Sequence, residues 1–145
     1  MTVNTTTNPV TSEIENPSIA ISLEGTWSGT MNVYTNYNDH DYHVISTDIE
    51  FIGDPIHATK GTGCWVDYYS GALWDYIANH IEWKVNNHNI EVYFVEENTW
   101  KIILDYALTD NYFTGKISVG DNKIEFRMRH IPSPNWDSFR YGYNY

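Results

Sequence analysis

From Ile21 onward the apolar positions fall into a period of two. Leu23, Gly25, Trp27, Gly29, Met31 and Val33 share one side of an extended chain, with Glu24, Thr26, Ser28, Thr30 and Asn32 on the other. That alternation predicts a half-buried strand. Ile45, Thr47, Ile49 and Phe51 repeat it against Ser46, Asp48 and Glu50, and Gly53-Asp54-Pro55 ends the run with turn residues. A third strand is predicted from Thr59 to Tyr69.

Between Ser70 and Ala78 the alternation fails, and Leu73, Trp74, Tyr76 and Ile77 suggest either an aromatic loop or one or two helical turns. Beyond it the period of two returns in Ile81, Trp83, Val85, then Ile90, Val92, Phe94, then Trp100, Ile102, Leu104. Phe113, Gly115, Ile117, Val119 and finally Ile124, Phe126, Met128 complete the series. Asn86-Asn87, Glu97-Asn98 and Gly120-Asp121-Asn122 are the expected hairpin turns. Strands joined by short turns in simple succession imply an all-β, antiparallel up-and-down meander of about eight strands. Closing that meander into a barrel removes its exposed edges.

The flanks read differently. Thr2 to Ser18 is rich in Thr, Asn, Ser and Pro without apolar periodicity, so residues 1–20 are expected to be a flexible polar tether. Residues 21–131 are the expected barrel domain. Residues 132–145 carry Trp136, Phe139, Tyr141, Tyr143 and Tyr145, an aromatic content that predicts a tail packed on the barrel.

The segment Leu23-Glu24-Gly25-Thr26-Trp27-Ser28-Gly29, placed at the head of the meander, resembles the Gly-x-Trp signature that opens lipocalins and related calycin barrels. In those families the Trp closes one end of the barrel and a cation near the last strand packs over it. The resemblance implies that Arg127, Arg129 or Arg140 takes that place on the Trp27 indole. Residues 61–70, Ile81-Glu82-Trp83, Asp105-Tyr106-Ala107-Leu108 and Tyr112-Phe113-Thr114-Gly115 are also similar to small exported lipocalin-like proteins of gut Bacteroidetes, a group of mostly unassigned function. That resemblance implies an exported protein, periplasmic, at the cell surface or extracellular, either held through a lipid anchor on a removed N-terminal segment or released.

Charge narrows the partners. Eight Lys and Arg against nineteen Asp and Glu give a net charge of -11, which repels a nucleic-acid backbone or an anionic bilayer surface. No run approaches the roughly 20 apolar residues of a membrane span, and no basic and apolar leader follows Met1. A single cysteine, Cys64, excludes an internal disulfide. The expected partner is a small molecule, or else a glycan or a protein.

Candidate chemistry is sparse. Asp39, Asp41 and His43 would share one face of an extended chain, a donor set suited to a divalent metal or a hydrolase, but the further ligands are not identifiable and a solvated loop is the default reading. His57, His80, His88 and His130 are scattered near predicted turns without an evident orienting partner. Cys64 reads as a packing residue, and Gly61 with Gly63 as a point of curvature or a bulge in the wall. No nucleophile elbow, zinc motif or cofactor-binding motif is present, so no catalytic residue, metal or cofactor is expected.

What remains is aromatic. Trp65, Tyr68, Tyr69, Trp74, Tyr76 and Trp83 are the candidate ligand-binding residues, near one barrel mouth. With Trp100 they either fill or line the interior, or stack on sugars or a partner from outside. The leading expectation is a non-enzymatic barrel that holds a small apolar or amphipathic molecule. The alternative is a filled barrel whose surface aromatics, including Trp136, Phe139 and Tyr141, contact a glycan or a protein.

Overall fold

The structure, a computed structural model, describes residues 16–143. The expected tether therefore lies largely outside the described residues, as do the last two residues of the tail. Ten strands are present among the described residues: β1 (Gly25–Met31), β2 (Tyr34–Tyr37), β3 (His40–Gly53), β4 (Lys60–Tyr69), β5 (Tyr76–Asn86), β6 (Asn89–Phe94), β7 (Thr99–Leu108), β8 (Tyr112–Val119), β9 (Asn122–Ile131) and β10 (Gly142–Tyr143). Strands β3 to β9 pair antiparallel in sequence order, and β1 pairs with both ends of that series. Trp27 thus faces Ile49 of β3 on one side and His130 of β9 on the other. The result is a closed, eight-stranded, up-and-down barrel.

Residues 16–23 are helical, where a tether followed by the start of a strand was expected. The buried positions explain this: Ala20 and Leu23 are three apart and lie against the barrel end, whereas Ile21 is exposed. Gly25, at φ +118°, then turns the chain from helix into strand, a backbone conformation that costs little only for glycine. The helix is tied to the barrel by Trp27, whose Nε1 donates to the Leu23 carbonyl at 2.8 Å.

Trp27 is fully buried, as a Gly-x-Trp opening implies, but no arginine covers it. His130 stacks on the indole instead, with ring centroids 3.5 Å apart and an interplanar angle of 25°. The period of two is the cause. On β9 Phe126 and Met128 face inward, so Arg127 and Arg129 face out, while Arg140 lies in the tail. His130 Nδ1 meets the Asp110 carbonyl at 2.5 Å, which fixes the ring over Trp27.

At the opposite end β1 breaks at Asn32-Val33 and resumes as β2, pairing only with the first residues of β3. Asn38 and Asp39 form the turn, both at positive φ, as a two-residue hairpin requires. Tyr37 and Tyr42 of this flap pack edge-on against Trp74 at 5.2 and 5.3 Å, with Tyr69 beneath at 5.7 Å. The segment between β4 and β5 is therefore an aromatic loop without helical turns, and it caps the barrel.

The interior is filled. Trp27, Phe51, Trp65, Phe94 and Phe113 are fully buried and meet edge-to-face, with Trp65 and Phe94 centroids at 4.8 Å and Trp27 and Phe113 at 5.5 Å. Two predicted phases differ. A register shift between Val44 and Ser46 puts Ile45 outside although Thr47, Ile49 and Phe51 face in. On β7, Ile103 opposes Ile90 and Lys101 opposes Val92, so Ile102 points outward against its expected phase and Trp100 takes the outer of its two expected places. Lys101 is accommodated because its ammonium lies 4.7 Å from the centre of the Phe94 ring and balances a buried carboxylate, Asp67.

Gly61 and Gly63 face the interior, and the β3–β4 register runs through them unshifted, so they mark curvature and not a bulge. A Cβ on Gly63 would stand 1.8 Å from the Glu50 carbonyl oxygen, and one on Gly61 would meet the Trp83 ring at 2.7 Å. Substitution Gly63→Ala forces β3 away from β4 and should cost roughly 1–3 kcal/mol, read as a lower urea midpoint with an unchanged slope.

Among the described residues Asp67 is the one buried carboxylate. Its Oδ1 accepts from Thr47 Oγ1 at 2.7 Å and from Trp65 Nε1 at 3.1 Å. Burial raises its pKa above the ordinary aspartate value, and the opposing pulls of Lys101, Thr47 and Trp65 are smaller. A carboxyl whose folded pKa lies above its unfolded one favours folding at low pH, and that contribution is lost as pH rises through the folded value. Asp67→Asn retains an oxygen for Thr47 and Trp65 and removes the charge. Its melting temperature should exceed that of the native protein near pH 7, with the gap closing as pH falls toward 4, in paired thermal scans.

Candidate functional site

The most varied chemistry lies outside the barrel, under the C-terminal tail. After β9 the chain crosses the outer wall of β4 and β5, makes a single 3-10 turn at Trp136–Ser138, and adds β10 beside Ala78 and Ile77 of β5. Asn135 caps that turn by accepting from the Asp137 amide at 3.2 Å. The aromatics of the tail do the fastening. Phe139 packs on Tyr76 at 5.2 Å and on Tyr68 at 6.4 Å, and the Arg140 amide donates to the Tyr76 hydroxyl at 2.9 Å. Tyr141 stacks on His80 at 3.8 Å, and its hydroxyl meets Cys64 Sγ at 3.3 Å and the Trp136 carbonyl at 2.9 Å.

Between tail and wall is a groove of ≈ 530 Å³ lined by Glu50, Cys64, His80, Glu82, Trp136 and Tyr141, among others. The Trp136 indole N–H is buried there without a hydrogen-bond partner. His80 is held by Glu96 twice: the carboxylate accepts from the His80 amide at 2.6 Å and faces Nδ1 at 2.6 Å. Cys64 and His80 are cross-strand neighbours on β4 and β5. Burial raises the Cys64 pKa, and Glu50, Glu96 and Asp137 reinforce that against the weaker opposing bond from Tyr141. The thiol is therefore held neutral, and the Tyr141 phenol is also pushed up, first by burial and then by Cys64.

A second groove of ≈ 300 Å³ shares Thr62 and Glu82 with the first and runs on to Asp54, Lys60, Lys84 and Trp100. Trp100 is 57% exposed. Tyr93 lies beside it at 5.0 Å, and Lys84 Nζ, 3.5 Å from Glu91, stands 5.6 Å from the centre of the indole. Together the two grooves make a path along the outer wall with an aromatic group at each end and carboxylates between.

The six candidate ligand-binding aromatics do not meet in one pocket. Trp65, Tyr69 and Trp83 point into the barrel, Trp74 is buried beneath the β2–β3 flap, and Tyr68 and Tyr76 lie on the outer wall under Phe139. Alternation along β4 and β5 separates them. Asp39 sits in the hairpin turn, Asp41 accepts from Asn36 Nδ2 at 2.9 Å, and the His43 ring lies tilted against Tyr34 at 4.9 Å. Among the described residues no three His, Cys, Asp or Glu side chains converge as a cation site, and no helix is long and apolar enough to cross a membrane. Sequence reasoning missed the His80–Glu96 pair, which are 16 residues apart, and left Trp100 open between interior and exterior.

Comparison with known proteins finds no matching family model and no matching curated protein. Among solved structures a redesigned β-barrel is similar, at 13% identity and a TM-score of 0.47 over 79% of this chain and 95% of its own.

A neutral thiol predicts slow chemistry. At pH 8 a disulfide reagent should label Cys64 in the folded protein at least ~10-fold more slowly than after unfolding in urea, followed by absorbance of the released thiol.

Proposed function

We propose that this protein is a non-enzymatic glycan-contact module that uses the outer wall of its barrel. The reading rests on one observation: Trp100 stands exposed in a groove whose other walls are the charged groups Asp54, Lys60, Glu82 and Lys84. A pyranose offers an apolar face rimmed by hydroxyls, and an indole face beside carboxylates and ammoniums matches both parts. The confluent groove under the tail, with Tyr141 and Trp136, offers a further contact along the same path. An exported setting suits such a role and the aromatic-rich, cation-poor composition.

An apolar cargo inside the barrel, the other expectation, needs roughly 300 Å³ of cavity. Here that space is occupied by Phe51, Trp65, Phe94 and Phe113. The filled interior therefore favours the surface reading.

Covering about 100 Å² of the indole contributes roughly 2.5 kcal/mol at ~25 cal/mol/Å², so a single sugar ring binds weakly and several rings are needed for an affinity near 1 mM or better. Neutral oligosaccharides of four to six rings should shift the tryptophan fluorescence and the Trp100 indole N–H resonance, and Trp100→Ala should weaken them about tenfold or more. Saturable binding that survives Trp100→Ala, or no binding by any neutral oligosaccharide, sinks the proposal.

A further inference from the structure

The opposite wall of the barrel carries a different surface. Four of the eight Lys and Arg residues of the chain, Lys116, Lys123, Arg127 and Arg129, belong to β8 and β9. In a chain with nineteen carboxylates, a cation without an acidic partner stands out. Lys84 lies 3.5 Å from Glu91, and Lys116 reaches Asp105 at 4.0 Å. Arg127 and Arg129, both exposed, have no ion pair among the described residues.

Their neighbours are hydroxyls. Strand register sets Ser28, Arg129 and Tyr112 in one row across β1, β9 and β8, and Thr30, Arg127 and Thr114 in the next. The rows are about 7 Å apart along β9, and neighbouring strands stand ~4.8 Å apart. Ser28, Thr30, Tyr112, Arg127 and Arg129 line a groove of ≈ 290 Å³ whose lining includes no carboxylate. It joins a second, of ≈ 530 Å³, through Thr30 and Arg127, and there Asp105 and Glu125 stand beside Lys116.

Two guanidiniums on the same face of one strand repel each other, and nothing around them in the smaller groove compensates. An oxyanion would complete the set. It would take bidentate bonds from the planar guanidiniums and further bonds from the flanking hydroxyls. Tyr112, 57% exposed at the edge of the groove, offers a ring face of the kind that sugar rings cover.

We infer that the Arg127–Arg129 rows form a binding site for an acidic saccharide, one bearing carboxylate or sulfate groups, separate from the Trp100 groove. The anionic groups bond to the two guanidiniums, and a sugar ring lies against Tyr112. The net charge of -11 repels long polyanions, so the site suits short acidic oligosaccharides better than a continuous phosphate backbone.

The test uses the full chain and calorimetric titration with four probes: an oligogalacturonate, a sulfated oligosaccharide, inorganic phosphate and a poly-aspartate peptide. Folding of each variant is verified by tryptophan fluorescence. One of the two oligosaccharides should bind, tighter than phosphate or the peptide, and whichever binds identifies the anionic group as carboxylate or sulfate. Raising salt from about 50 to 300 mM should weaken it several-fold. The double variant Arg127→Gln, Arg129→Gln should lose at least about tenfold. Tyr112→Ala should weaken the oligosaccharide and leave any phosphate binding unchanged, while Trp100→Ala should leave both unchanged. Acidic oligosaccharide binding that persists in the double arginine variant overturns the site. Peptide binding equal to that of the oligosaccharide, or an oligosaccharide no tighter than phosphate, overturns its assignment to a sugar.

Discussion

Everything in this molecule depends on β1 being paired on both sides. Between β3 and β9 the strand turns an open meander into a closed wall, and Trp27 at its centre supplies the packing that holds the closure. The indole is buried, bonded to the Leu23 carbonyl, stacked under His130 and edge-on to Phe113, so one residue joins the helix, β1, β8 and β9. Without that closure β3 and β9 would both present free edges. The stack also shows how an imidazole can occupy a place that the lipocalin resemblance gives to Arg or Lys. His130 reaches Trp27 because it is on the inward phase of β9, and the arginines cannot.

Closure also decides where chemistry can occur. An eight-stranded barrel is narrow enough for side chains to fill, and here aromatic rings meeting edge-to-face do so. Asp67 and Lys101 are the exception inside the wall, a carboxylate raised in pKa by burial and a cation lying over Phe94. With the interior occupied, the grooves lie on the outside, and the outside is asymmetric. One wall carries Trp100, the tail and a path of carboxylates, and the opposite wall carries Arg127, Arg129 and rows of hydroxyls.

The tail is part of the candidate site and not an appendage. Tyr141 stacks on His80 and bonds to Cys64, and Phe139 covers Tyr68 and Tyr76, so four outward residues of β4 and β5 are covered by residues more than sixty positions later. The aromatic richness of residues 132–145 announced that it would pack. Which wall it would cross could not be read there, because Cys64, His80 and Tyr76 look in the sequence like isolated residues of three unrelated kinds.

By itself the sequence determined the strands, their antiparallel succession and most of their inward faces, because alternation is a local property of extended backbone and needs no knowledge of partners. Trp27, Ile49, Phe51, Trp83, Phe94, Phe113 and Phe126 were all legible as core in this way. Register was not. In β7 both phases of Trp100-Lys101-Ile102-Ile103 contain apolar residues, and only pairing with β6, set by the turn with Asn98 at positive φ, put Ile103 inside and Trp100 in solvent. Likewise an extra residue at Ile45 could be detected only against β4. Tertiary structure alone decided the helical turn onto Trp27, the His80–Glu96 pair and the alignment of hydroxyls beside the arginines. The last two join residues that are apart in the chain and meet only once the strands have paired.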